Sequence, residues 1–217
     1  LYRDDDLLVF NKPSGLLVHR GAANDRDTAL TRARDLVGHY VYPLHRLDRG
    51  ASGALAFACS PTAASLFGKL WQERAVDKRY FALVRGVPPE TGVIDYPLPK
   101  DEGKERVPAV TRFRRLAASS VDRCSLLEAR PETGRLHQIR LHLRHLSHPL
   151  IGDVKHGRGD INRRYRELYA LHRLALHCHA LGFTHPLTGQ ELLVRAPVPE
   201  DLRGALVALQ LPVLAEL

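Results

Sequence analysis

An α+β fold with many short strands and few helices is predicted for this 217-residue chain by three observations. Short apolar runs of Leu, Val, Phe and Tyr recur along it, separated by turns that carry Gly and Pro. Side chains alternate with a period of two in Lys78–Gly86, where Tyr80, Ala82 and Val84 face one way and Phe81 and Leu83 the other. Helical spacing is confined to a few stretches, and no repeat, low-complexity segment or linker divides residues 1–217, so one domain is expected.

Leu7–Phe10 reads as a strand, Asn11-Lys12-Pro13-Ser14-Gly15 as the turn after it, and Leu16–His19 as extended chain. Ala54–Cys59 is a compact apolar strand. Pro61 to Arg74 reads as a helix, with proline in its first turn and Leu66, Leu70 and Trp71 on one face. Arg112–Leu116 and Ser125–Ala129 are two more strands. Pro131-Glu132-Thr133-Gly134 turns into a helix that runs to about His145 and is stopped by Pro149, because the residue before a proline avoids helical backbone. Leu174–Phe183 and Glu191–Arg195 form a hairpin around His185–Gly189, and Asp201–Leu209 is a closing helix. Pro88–Gly92, Lys100–Arg106 and His156–Asn162 are polar, charged and Gly- or Pro-bearing, and read as surface loops.

Lys and Arg number 32 against 24 Asp and Glu, a net charge of +8 that suits a polyanionic partner, although a basic but uncommitted surface would give the same count. The three cysteines, Cys59, Cys124 and Cys178, lie far apart, which argues against a disulfide framework or a zinc knuckle and fits a reducing, cytoplasmic setting. No apolar run approaches the ~20 residues that cross a bilayer, and no signal peptide opens the chain.

Three stretches carry candidate chemistry. In His45-Arg46-Leu47-Asp48-Arg49-Gly50-Ala51-Ser52-Gly53 a carboxylate lies between two arginines, which would keep Asp48 ionised; small residues then let a large ligand approach the backbone. A surface salt-bridge cluster in a turn has the same charge pattern. In Gly134–Leu146, helical spacing puts Ile139, Leu143 and Leu146 on one stripe and Arg140 and Arg144 on another. Like charges four apart repel, so an anion or a buried carboxylate is wanted beside them, unless this is simply a solvated basic face. In the strand that opens Lys78-Arg79-Tyr80, the tyrosine is placed either to stack on an extruded base or to fill the core.

These stretches, in this order, resemble the RluA-type family of pseudouridine synthases. Asn11-Lys12-Pro13-Ser14-Gly15-Leu16 and His148-Pro149-Leu150-Ile151-Gly152-Asp153 add to the likeness, which runs from about Leu7 to Pro197. Within the family the chain looks most like the TruC-type tRNA group: Arg49 follows Asp48 directly, and Lys155-His156-Gly157 and Asn162-Arg163 follow Asp153. One departure is Ala51, where the family usually has threonine, so a hydroxyl is missing beside the loop.

The resemblance implies a pseudouridine-synthase catalytic domain with a mixed, mostly antiparallel central sheet flanked by helices and loops, and no S4-type RNA-binding domain in the chain. It implies that Asp48 is the catalytic aspartate, that Arg46 replaces the flipped base, that Tyr80 stacks on the target uracil, and that Arg140 pairs with the aspartate. His45, Arg49, Lys12, Arg135, His137 and Gln138 are then expected at the RNA, and Arg20, Arg112, Arg144, Arg163 and Arg164 are further phosphate-binding candidates. The reaction moves one bond within one nucleotide, so no metal or other cofactor is expected. The implied partner is RNA, with tRNA (position 65 in the T stem) ahead of ribosomal RNA, and the expected enzyme is a monomer that uses no membrane.

Two readings from other classes compete. A catalytically silent RNA-binding protein would not need Asp48, Tyr80 and Arg140 together. The 12 histidines prompt a metal-dependent hydrolase, but neither His142 with His145 nor His177 with His179 carries the glutamate of HExxH, so they read as polar packing or RNA contacts.

Overall fold

A computed structural model describes residues 1–20, 25–100, 103 and 105–213. Its elements begin with β1 (Tyr2–Arg3), β2 (Leu7–Lys12), α1 (Ala29–Val37), β3 (Tyr42–Pro43), β4 (Ser52–Ala58) and α2 (Pro61–Gln72). They continue with β5 (Asp77–Arg85), β6 (Thr91–Asp95), β7 (Leu98–Pro99), β8 (Arg106–Val107), β9 (Val110–Ala118) and β10 (Cys124–Pro131). The last are α3 (Gln138–His145), α4 (Gly159–Tyr169), β11 (Leu176–Thr184), β12 (Glu191–Arg195) and α5 (Glu200–Ala208). The α+β expectation holds. The chain forms two compact units, Leu1–Lys78 with Cys178–Pro197, and Arg79–His177 with Val198–Leu217.

In the first unit β2 pairs antiparallel with β1 and with β4, in a register that sets Leu7 opposite Ala58 and Lys12 opposite Gly53. All seven β4 residues are buried, which explains their small, apolar character: Ser-Gly-Ala-Leu-Ala-Phe-Ala leaves no face for water. α2 packs against β4 and α1 against β2. Ser60 caps α2 by accepting from the Ala63 N–H, and Pro61 sits in the first turn, where its missing N–H costs nothing. The buried face of α2 centres on Ala63 and Phe67; Leu66, Leu70 and Trp71, the stripe expected from spacing, flank it half-buried. α1, unforeseen in the sequence, is held by a capping box between Thr28 and Thr31 and ends at Gly38 in the left-handed region (φ 89°). Leu16–His19, expected to be extended, makes an isolated bridge from Leu17 to Thr28 instead of a strand, and its Leu17 and Val18 carbonyls accept from the Ala29 and Leu30 N–H groups.

In the second unit β10 lies between β5 and β9, and β6 adds to β9, all antiparallel. β5 is buried from Tyr80 to Val84. Its Phe81 and Leu83 join Cys124, Leu126, Ile151, Tyr165, Leu171 and three α5 side chains (Leu202, Ala205 and Leu206) in one apolar core. α3 packs against β9 and β10. Residues 149–151 run beside β5, with Arg85 donating to the Pro149 carbonyl and Ile151 to that of Leu83, so Gly152 and Asp153 are delivered from a pinned backbone.

Two loop expectations are corrected. His156–Asn162 is half helix: α4 begins at Gly159, Asp160 favours its N-terminal dipole, and Asn162 and Tyr165 are its buried side chains. Pro88–Gly92 runs into β6, paired with β9 from Thr91 onward. Lys100–Arg106 falls partly outside the described residues; its ends close a β7–β8 hairpin through the Lys100 N–H to Glu105 carbonyl bond.

Candidate active site

The Asp48 loop belongs to the first unit and is tied down from both sides. Ala51 donates to the Asp48 carbonyl (3.1 Å), closing a tight turn, and Leu47 anchors it in the core. Gly53 has φ +112°, and a Cβ there would lie 2.1 Å from the Cys178 carbonyl oxygen, so only glycine lets β4 start at this point. The Asn11–Gly15 turn is laced onto the loop: Gly15 N–H donates to the Arg49 carbonyl (2.8 Å), Arg49 Nε to the Gly15 carbonyl (3.0 Å), and Ser14 Oγ to the Gly50 carbonyl (2.7 Å).

Lys12 is central to that lacing. Expected at the RNA, it is instead fully buried, and its Nζ donates to the carbonyls of Pro13 (2.9 Å), Leu16 (2.8 Å) and Arg49 (3.3 Å). An ammonium carries three N–H donors, and these bonds turn them inward. Lys12 is a loop-positioning residue.

His45 is half-buried, its ring stacked on Trp71 (centroids 5.4 Å, 17°) and its Nε2 accepting from the Ala56 N–H (3.1 Å). Burial, and then the Lys78 charge, push it down to about 3, so the ring is neutral near pH 7 and cannot serve as a cation for phosphate. It fixes the stem from which Arg46 extends. The Arg46 side chain is exposed, with no hydrogen bond or ion pair to any described residue, and Asp48 is half-buried. Arg49 lies 3.7 Å from Asp25 with its side chain 61% exposed, so that exposed pair contributes little and leaves the guanidinium reachable.

The other expected residues belong to the second unit. Tyr80 is buried on β5, opposite Ala129. Arg140 is buried on α3, where its Nε and Nη2 grip the two oxygens of Asp153 at 2.8 Å each. This is the buried carboxylate that the Arg140/Arg144 spacing asks for; Arg144 itself is exposed. Burial alone would raise the Asp153 carboxyl, but the Arg140 fork and the His156 N–H outweigh it and hold it below the usual range.

Gln138, also expected at the RNA, is buried with its amide spent inside the unit. It donates to the Val110 carbonyl and Thr111 Oγ1 (both 2.9 Å) and accepts from Thr133 Oγ1 (2.6 Å) and the Arg135 N–H (3.0 Å). Two donors and two lone pairs are then used, so Gln138 holds the turn into α3 instead of reading RNA. Arg135 is half-exposed, with Nε on the Pro108 carbonyl (3.2 Å). His137 takes left-handed backbone (φ 53°) at the start of α3, and its Nδ1 lies 3.0 Å from His156 Nε2. His142 bonds Thr111 Oγ1 and the Tyr96 carbonyl (both 2.9 Å), a packing role.

The fold therefore brings Lys12, His45, Arg46, Asp48 and Arg49 together in one unit, and Arg135, His137, Gln138 and Arg140 around the start of α3 in the other. Asp153, bonded to Arg140, and Trp71, stacked on His45, are neighbours of expected residues that the sequence reading did not assign. Among the described residues, no three His, Cys, Asp or Glu side chains gather as a metal site, and no helix is long and apolar enough to cross a membrane.

The fold and the charged Asp48 loop define a class. The family described as RNA pseudouridylate synthase matches residues 6–145, and the chain belongs to that family. It is a pseudouridine synthase, an isomerase. Among curated relatives, tRNA pseudouridine synthase C of Vibrio cholerae is 40% identical, over 95% of this chain and 93% of the relative. The protein of the same name from Salmonella typhimurium is 40% identical, over 95% and 87%. Among solved structures, human RNA pseudouridylate synthase domain containing 4 superposes with a TM-score of 0.79 at 28% identity, covering 97% of this chain and 92% of that one.

Proposed function

We propose that the chain converts uridine to pseudouridine in tRNA, in the T stem at position 65, with Asp48 as the catalytic carboxylate. The observation that carries the substrate is the 40% identity, over nearly the full length of both chains, to relatives named for tRNA. Asp48 breaks the N1–C1′ bond by attacking C1′ or by taking the C2′ proton; the uracil turns, C5 bonds to C1′ as the carboxylate is displaced or returns its proton to C2′, and the C5 proton leaves as N1 gains one. Arg46, exposed and extended from the pinned His45, occupies the gap left by the flipped base. Tyr80 stacks on the uracil, and Arg140 supports the ionised aspartate. Arg49, Arg135 and exposed Arg144 hold phosphates. The enzyme acts as a cytoplasmic monomer without a cofactor.

The test is tritium release from transcripts labelled at uridine C5, using tRNA and ribosomal RNA fragments. Release from tRNA, abolished by Asp48→Asn with binding kept, is expected. Release from ribosomal RNA alone would overturn the substrate, and an active Asp48→Asn enzyme would overturn the mechanism.

A further inference from the structure

Arg140 and Arg144 are both cations on α3, yet only Arg140 is buried and gripped. The grip is unusually complete. Asp153 Oδ2 takes Arg140 Nε, while Oδ1 takes Arg140 Nη2 and the N–H groups of Lys155 (3.0 Å) and His156 (2.9 Å). The Asp153 carbonyl takes the Gly157 N–H (3.0 Å) and Asn162 Nδ2 (2.9 Å), and Asn162 Oδ1 in turn takes the Gly152 N–H (2.9 Å). Gly152 has φ +78°, and a Cβ there would lie 1.8 Å from the Arg173 carbonyl oxygen, so the backbone is committed to glycine just where it turns to present Asp153. A second tie joins the same loop to α3: the 3.0 Å contact of His156 with His137, whose left-handed backbone opens the helix.

We infer that Asp153 is a positioning residue for catalysis: its carboxylate, braced by Asn162 and by the His156–His137 contact, fixes the guanidinium of Arg140 in the orientation that the reaction uses. The inference rests on the reading of Arg140 as the partner of the catalytic aspartate. A fork through Nε and Nη2 fixes the guanidinium plane and stops rotation about the last side-chain bonds, leaving Nη1 outside the fork. A salt bridge that served stability alone would need neither this plane nor a tie to the residue that starts the helix. The fork has a chemical consequence too. A guanidinium whose charge is partly met by Asp153 orients a second carboxylate without taking up its full negative charge.

The experiment compares Asp153→Asn, Arg140→Met and the double variant with wild type, using tritium release from tRNA at saturating RNA. RNA affinity and melting temperature are measured alongside. Asp153→Asn is expected to lose roughly 100-fold in kcat, the scale of a misplaced catalytic group, with RNA affinity changed less than ~3-fold. The double variant should be no worse than Arg140→Met. Should Asp153→Asn fail to fold, Asp153→Glu keeps the charge but moves it, and His156→Ala cuts only the second tie; each should lower kcat while affinity holds. Unchanged kcat in a folded Asp153 variant, with Arg140→Met impaired, overturns the inference. So does a double variant whose losses simply multiply. Full activity in Arg140→Met would instead overturn the underlying reading of Arg140.

Discussion

Replacing Lys12 by Met removes a charge that never reaches the surface, and should damage the enzyme through its loop. The buried Nζ makes three bonds to backbone carbonyls, at 2.9, 2.8 and 3.3 Å. The Arg49 carbonyl keeps the Gly15 N–H at 2.8 Å, so the variant leaves the carbonyls of Pro13 and Leu16 to find new donors. A buried acceptor stripped of its donor costs about 1–3 kcal/mol, and no longer burying an ammonium offsets part of that. The net loss is then about 2–4 kcal/mol, or roughly 4–16 °C in melting temperature for a protein of this size. Thermal unfolding followed by circular dichroism measures the first effect. Tritium release at a temperature where both proteins are folded measures the second, and kcat should fall at least ~10-fold as the Asp48–Gly50 backbone loosens. A Lys12→Met protein that melts and turns over like wild type would refute the assignment of Lys12 to loop positioning.

Acid should weaken the fold through His45. Its folded value of about 3 lies below 6.5, so on acidification the unfolded chain takes up a proton that the folded one refuses, and stability falls between about pH 6.5 and 3. The slope is about 1.4 kcal/mol per pH unit, and His45→Gln should flatten it in urea titrations at pH 4.5, 5.5 and 6.5; an unaltered slope would exclude His45 as its source. Gly53→Ala should yield little folded protein, given the 2.1 Å approach to Cys178, whereas Gly15→Ala, with open space around it, should lose only ~1–2 kcal/mol. Chemical denaturation of both distinguishes them, and equal stability would contradict the close approach. Trp71 is the chain's single tryptophan and stacks on His45, so its fluorescence should change when Asp48→Asn protein binds tRNA; binding by filter assay with flat emission would place the RNA away from the Arg46 stem.

The charged loop at Asp48 was legible because a carboxylate between two arginines, closed by Gly-Ala-Ser-Gly, is a local pattern, and β4 and β5 because their apolar runs are uninterrupted. Helical spacing left two readings of Arg140 and Arg144 open, an anion or buried carboxylate beside them or a solvated basic face, and the structure gives Arg140 the first and leaves Arg144 exposed. Which carboxylate meets Arg140 was not legible, since Asp153 arrives from thirteen residues further on by a path set by β5 and Gly152. Lys12 and Gln138 were misread for one reason: a polar side chain in a motif looks available until the fold supplies acceptors, and local sequence does not show whether it will. α4 carries a helical stripe in Ile161, Tyr165, Leu168 and Tyr169, but its polar, glycine-bearing start, Gly157-Arg158-Gly159-Asp160, reads locally as loop. α1 was hidden by a threonine where a capping box usually has Glu or Gln.

Gly53 and Cys178 meet inside one unit, yet about 125 residues separate them in the chain. At roughly 5–20 residues per second, a ribosome needs about 6–25 s to deliver Cys178 after Gly53 has been made. Throughout that interval β4 has β2 beside it but not the Cys178 backbone, and most of the intervening residues, Arg79–His177, are those of the other unit. The Asp48 loop therefore gains its close contact with the Cys178 backbone only after the residues of the other unit between them have been made. A truncated product that stops short of β11 would carry every residue of the Asp48 motif, with β2 and α2 against β4, but not the Cys178 backbone that Gly53 meets.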